Sequence, residues 1–167
     1  MPTQPADRNR RMTNPTEAIS PSSATLETAK LVLLWLDRVP YTLLAIPLRL
    51  GAAVVFWNSA MTKLPNWETT VTLFADEYQV PLLPPEAAAF MATAIELTMP
   101  VLLVLGLLTR PAALVLLGMT AVIQMFVYPL AWPTHLQWAA MLLVLLARGP
   151  GAFSLDRLIR RRLLGDG

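Results

Sequence analysis

Five polar side chains stand inside long apolar runs: Arg49, Lys63, Glu96, Gln124 and His135. An ionisable group is costly to place in such a run, so each is a candidate functional position. A carboxylate near a cation can hold or pass a proton, and an imidazole titrates close to neutral pH. Together these groups suit a polar pocket that takes a small polar headgroup or passes a proton, with His135 as the titrating member. They suit a structural network equally well. In that reading Arg49 and Glu96 neutralise one another, and Gln124 and His135 hydrogen-bond between helices at about 1 kcal/mol each. Both readings remain open from the residues alone. Losing Glu96 strands Arg49 in either case, so His135→Gln, which keeps polarity and removes titration, separates them better.

The elements that must position these residues follow from composition and charge spacing. Hydrophobic residues make up 55% of the 167 positions and charged residues 14%, against about 25% charged in an average soluble domain. This excludes a disordered chain, a basic nucleic-acid-binding domain and a charged soluble enzyme. Cysteine is absent, so there is no disulfide, thiolate metal site or cysteine nucleophile. No glycine-rich nucleotide loop, paired-histidine zinc motif or nucleophile elbow is present. The methionines Met91, Met99, Met119 and Met125 lack the tight helical spacing of a Cu(I) site and read as packing residues. No metal site and no cofactor is identified at this level.

Residues 111–147 contain no Lys, Arg, Asp or Glu. As one helix they would be about 55 Å long, against a hydrocarbon core of about 30 Å. The run must fold back, and Pro129 and Pro133 mark the break. The hydropathy predicts spans at about 42–63, 86–108, 111–128 and 134–147, within a transmembrane domain over 42–148. No stretch alternates with period two, which argues against a β-barrel. The expected fold is an all-α membrane protein, a four-transmembrane-helix bundle with short amphipathic interfacial helices. Counting 1.5 Å per residue puts Glu96, Gln124 and His135 in one layer about 18–20 Å deep, and Arg49 at about 11 Å.

Lys and Arg cluster before the first span, between the second and third, and after the fourth. The positive-inside rule then predicts that both termini are cytoplasmic. Lys63 is the exception, and its long stem could reach the headgroups or the polar layer. Residues 1–23 read as a disordered polar tail, without the apolar core of a signal peptide. Residues 24–38 read as an interfacial amphipathic helix. Trp67, Val71, Phe74 and Tyr78 recur at helical spacing, which predicts an outer amphipathic helix over 67–79, capped by Asn66. Whether it only anchors at the interface or also covers a site stays open. Residues 154–164 form a basic amphipathic helix whose Arg157, Arg160, Arg161 and Arg162 suit anionic lipid headgroups.

The order of several motifs resembles the DoxX family of small bacterial inner-membrane proteins, over roughly residues 48–158. The matching parts are Arg49 to Gly51, the run from Phe56 through Lys63 to Leu64, Glu96, the turn from Gly106 through Thr109 and Arg110 to Leu114, and Gly149 through Ser154 to Asp156. Tyr128 through His135 is similar to a variant found in one subgroup. Ala60 replaces the usual glycine before the lysine. The resemblance implies a four-helix membrane protein with Arg49, Lys63 and Glu96 as its polar positions. It also implies a redox setting, since relatives are associated with quinone-linked thiosulfate oxidation and with membrane complexes handling oxidative or thiol stress. The missing cysteines count against thiol exchange by this chain, so electrons would pass to a quinone or a partner protein. One histidine cannot supply bis-histidine haem ligation.

The expected function is a membrane subunit of a redox or oxidative-stress complex, an oxidoreductase subunit acting with a soluble redox partner. It would hold a quinone-sized polar site between the helices. The alternative is a non-enzymatic scaffold or anchor that recruits a soluble partner. The lipid bilayer is the expected surrounding, nucleic acid is not an expected partner, and a homo-oligomer is left open. A transporter is disfavoured, because no repeat pairs the two halves.

Overall fold

The computed structural model describes residues 23–164. The polar tail expected at 1–23 lies outside the described residues, apart from Ser23. Helix α1 (Ser23–Asp37) belongs to a unit that ends at Val39. Its apolar residues Leu31, Leu33 and Trp35 are all exposed, and Glu27 pairs with Lys30 at 3.2 Å.

The second unit begins at Pro40. It holds four helices long and apolar enough to cross a membrane. They are α2 (Tyr41–Lys63), α4 (Pro85–Leu105), the span Thr109–Val127, which begins with α5 (Thr109–Val122), and the span Pro129–Arg148, which ends with α6 (Trp132–Arg148). A π-helical turn, Ile123–Val127, prolongs α5, and a 3-10 turn, Pro129–Ala131, leads into α6. Among the described residues there is no strand. Helix α3 (Trp67–Leu73) sits between α2 and α4 in the chain and continues into a π-helical turn, Phe74–Tyr78. A last helix, α7 (Leu155–Leu164), follows α6.

The short connections from α4 to α5 and from α5 to α6 force these neighbours to run antiparallel. Helix α2 packs on α4 and α6, and α5 packs on the same two, so the four close into a ring. Small residues dominate the contact: Ala52 and Ala53 of α2 and Ala112 and Ala113 of α5 are buried beside Phe56, Leu103, Leu116, Leu142 and Leu145. Alanines let backbones approach closely, which replaces the missing hydrophobic drive between helices in lipid. Ala60 is also fully buried. The outside of the ring is apolar, with Leu43, Val54, Phe90, Val101, Leu114 and Leu143 all exposed. Three charged residues of the spans, Arg49, Lys63 and Glu96, are buried, whereas Glu86, Arg110 and Arg148 at the helix ends are exposed. Apolar outside and charged inside is the arrangement of a multi-pass integral membrane protein.

Helix α4 ends at Leu105, three residues before the expected end. Gly106 adopts φ +65°, and the bonds Gly106 N–H to Leu103 O and Leu107 N–H to Leu102 O close the helix in a Schellman arrangement. Only glycine suits this place, because a Cβ here would lie 2.6 Å from the Ser154 Cβ and 3.0 Å from the Arg49 Cζ. Helix α5 starts at Thr109, two residues early, with Pro111 accommodated in its first turn. Its cap comes from far along the chain. The Asp156 carboxylate accepts from Leu108 N–H at 2.8 Å and Thr109 N–H at 3.1 Å. Asp156 N–H in turn donates to Gly106 O at 3.0 Å.

The segment 149–156 is thereby clasped onto one end of the bundle. Tyr41 donates to Gly149 O at 2.7 Å, and Ala152 N–H donates to the Thr42 hydroxyl at 3.1 Å. Ser154 caps α7 by accepting from Arg157 N–H at 3.3 Å. This end also carries Arg110, Arg148 and the arginines of α7, whereas the opposite end carries Glu68, Asp76, Glu77 and Glu86.

Candidate polar cavity

The residues Lys63, Glu96 and Ser59 meet where α2 and α4 face each other. Lys63 Nζ lies 2.7 Å from Glu96 Oε2 and 2.9 Å from Oε1. Ser59, one helical turn before Lys63 on the same face, donates to Glu96 Oε1 at 2.9 Å and accepts from Lys63 Nζ at 2.8 Å. The triangle is closed: each member satisfies the other two, and the ion pair is neutral overall. Glu96 is 1% exposed, so this is a charge pair removed from solvent, where partners are obligatory.

Arg49 is not part of it, which corrects the expected Arg49–Glu96 neutralisation. Its guanidinium is spent on carbonyls at the other end of the bundle. Nε donates to Leu103 O at 2.7 Å, and Nη2 donates to Val104 O. Nη1 donates to Phe153 O at 2.7 Å and Pro150 O at 3.2 Å. The last carbonyls of a helix have no intrahelical donor, and Arg49 meets two of those of α4. Its role in the structure is to join α2, α4 and the 149–156 segment.

Gln124 and His135 form a second pair, across the α5–α6 connection. His135 Nδ1 lies 2.7 Å from Gln124 Oε1, and Gln124 Nε2 donates to Pro129 O at 2.7 Å. The π-helical turn at the end of α5 and the 3-10 turn before α6 bring these three residues together. The His135 ring also stands 5.0 Å from the Trp138 ring, which in turn meets Phe56 edge-on at 5.7 Å.

Between the two clusters lies a cavity of about 340 Å³, at the small end of the range for small-molecule sites. Ser59, Lys63, Glu96 and His135 supply its polar lining, and Phe56, Ile95, Met119 and Trp138 are among its apolar walls. Gln124 stands behind His135 rather than in the wall. Of the five residues singled out by sequence, three therefore share one cavity, one supports it, and Arg49 lies elsewhere. Ser59 was not singled out by sequence, although its place four residues before Lys63 puts it on the same helical face. Nothing local announces Tyr78 and Tyr128, because they reach the cavity only through the tertiary fold.

Tyr78 belongs to a lid, and Tyr128 of the α5–α6 connection ties to it. Asn66 caps α3 by accepting from Thr69 N–H at 3.0 Å, and Phe74 is buried against Ala88 and Ala89 of α4. Phe74 and Tyr78 of the π-helical turn that continues α3, and Val80 just beyond it, line the cavity, so this segment covers it. Tyr128 donates to Glu77 Oε1 at 2.8 Å, and its hydroxyl lies 3.4 Å from that of Tyr78. The Tyr78 hydroxyl, then partial burial, then Glu77 push the Tyr128 phenol well above its ordinary value of 10.0. The folded protein thus holds this proton more tightly than the unfolded chain does. The contribution of the latch is complete below pH 10.0 and is lost as pH rises from there through the raised value. Melting curves between pH 9 and 12 (roughly the tyrosine range) should fall more steeply for the natural protein than for Tyr128→Phe. Parallel curves would remove Tyr128 from the latch.

Comparison with known protein families matches residues 44–129 to DoxX. The chain belongs to the DoxX family. The match covers half of the sequence, from α2 to the end of the π-helical turn after α5. It contains Arg49, Ser59, Lys63, Glu96 and Gln124, whereas His135 and the 149–156 clasp lie beyond it. No curated protein and no solved structure matches the chain significantly.

Proposed function

We propose that this DoxX protein is the membrane subunit of a redox complex, and that its cavity receives the ring of a quinone or hydroquinone. The observation that supports this is one apolar cavity within the bundle that carries both a buried Lys63–Glu96–Ser59 cluster and His135. A quinone ring has apolar faces and polar edges, so it needs apolar walls with a few polar groups at one place, which this lining offers. When bound it would supply two-electron, two-proton chemistry. The residues that would hold it are His135 at the polar edge and Phe56, Ile95 and Met119 around the ring. With no cysteine in the chain, the electron-exchange partner is a second, soluble protein.

The clasped end carries most of the Lys and Arg residues and faces the cytoplasm of a bacterial inner membrane in this reading. Helix α7 then lies along the headgroups, with Arg157, Arg160, Arg161 and Arg162 toward anionic lipid.

Purification in mild detergent, with mass spectrometry of co-purifying lipids and proteins, tests the proposal. A quinone or hydroquinone near equal stoichiometry, together with a soluble redox protein, is expected. A clean preparation with neither, and no quinone-dependent activity in the membranes it came from, overturns it.

A further inference from the structure

The hydrogen bonds behind His135 fix which of its nitrogens carries the proton. Gln124 Nε2 faces the Pro129 carbonyl, which only accepts, so the amide cannot be turned over without setting two oxygens against each other. Gln124 Oε1 therefore faces His135 Nδ1, and at 2.7 Å the bond requires a hydrogen on Nδ1. In the neutral ring Nε2 is then a bare acceptor. His135 is 5% exposed and lines the cavity. Its Nε2 has no hydrogen-bond partner among the described residues and is not sealed in protein, so it opens on the cavity. Lys63, Glu96 and Ser59 satisfy one another. The cavity's unmet demand is thus for a donor.

The cavity also has a mouth in the side of the bundle. Met91 of α4 and Val115 of α5 line it and are 48% and 39% exposed on the apolar outer surface. Leu83 and Tyr128 are exposed at the lid end as well, but the Met91–Val115 flank lies along the apolar side of the bundle, so it is the way in for a molecule dissolved in the bilayer.

We infer that the cavity selects the reduced, hydroxyl-bearing form of a membrane-soluble ring: a hydroquinone whose O–H donates to His135 Nε2 and whose apolar tail leaves between α4 and α5 past Met91 and Val115. This rests on the quinone-type ligand proposed above and adds its oxidation state and its route. The oxidised ring offers only acceptors. To bind at the same place it must draw a hydrogen to Nε2, which leaves Nδ1 and Gln124 Oε1 as two acceptors in contact. An unmet buried acceptor costs about 1–3 kcal/mol, a factor of about ten or more in affinity.

The test is equilibrium binding of a decyl-substituted hydroquinone and its matching quinone to the full chain in phosphatidylcholine nanodiscs. The measurement is made without oxygen at about pH 8, where an ordinary imidazole is neutral. The hydroquinone is expected to bind at least about tenfold tighter. His135→Phe should abolish the preference. Gln124→Leu, which frees the ring to move its hydrogen to Nε2, should shrink it toward equality and gives a readout should the first variant fail to fold. Met91→Trp, at the mouth, should weaken the decyl compounds and spare ring analogues without a tail. Equal affinities in the natural protein, a preference for the quinone, or a preference unchanged in both the folded His135→Phe and Gln124→Leu proteins overturns the inference while the quinone reading stands. Binding of neither form overturns both.

Discussion

Lys63→Met is expected to lower the stability of the bundle by about 3–5 kcal/mol. The substitution removes the cation 2.7 Å from Glu96 and leaves a carboxylate that is 1% exposed. Ser59 can still donate to Oε1, but one hydroxyl does not replace an ammonium. The Coulomb attraction of the pair mainly offsets the cost of burying both charges, so removing both should cost far less than removing one. The double variant Lys63→Met, Glu96→Met is therefore expected to recover most of the loss. Unfolding by denaturant in mild detergent, run on the single variant and the double, measures the difference. A single variant as stable as the natural protein, or a double variant less stable than either single, would contradict the pairing. The double variant is also informative about function. If it folds and no longer binds a quinone-type ring, the cluster positions the ligand as well as the helices.

Arg49→Met is the second large effect, expected at about 3 kcal/mol or more. Four carbonyls from two separate segments converge on one guanidinium: Leu103 and Val104 at the end of α4, Pro150 and Phe153 beyond α6. Without it those acceptors must find water, at the end where α4, α5 and the chain after α6 are tied together. The consequence should also be local. Hydrogen exchange at Leu108, Thr109 and Asp156 is expected to speed up first, because the Asp156 cap of α5 depends on the same clasp. Arg49→Lys should rescue only part of the loss. An ammonium has three hydrogens on a point charge and cannot span the acceptors that the planar fork reaches. Stability and exchange unchanged in Arg49→Met would show that the clasp holds without it.

These two substitutions bear on opposite ends of the molecule, although the two cations lie only fourteen residues apart on α2. At 1.5 Å per residue that is about 21 Å, or two-thirds of a hydrocarbon core. Depth arithmetic already separated Arg49 from the layer of Glu96, Gln124 and His135. It left Lys63 undecided between headgroups and interior, because a flexible stem reaches either way. The rotation of α2 against α4 settled that, and with it the partner of Glu96.

The lid shows the same division. The spacing of Trp67, Val71, Phe74 and Tyr78 and the Asn66 cap were legible as a helix. That Phe74 and Tyr78 line a cavity, and that Tyr128 from the α5–α6 connection bonds to Glu77, required the ring of helices to close. The helix ends divide likewise: the α4–α5 turn was placed within three residues, whereas its cap, Asp156, lies 48 positions beyond Leu108.

By itself, then, the sequence determined the membrane as solvent, the four helices, the short turn between the second and third, and that Arg49, Glu96, Gln124 and His135 stand within the spans. Those follow from hydropathy, helix length and the cost of burying charge, all of which act along the chain. Only the tertiary structure decided that Lys63 rather than Arg49 neutralises Glu96, that Gln124 backs His135 at the wall of a cavity, and that a distant carboxylate caps α5. Each of these depends on how helices rotate and pack against one another, and contacts between helix faces are set by shape across the bundle rather than by spacing along one strand of sequence.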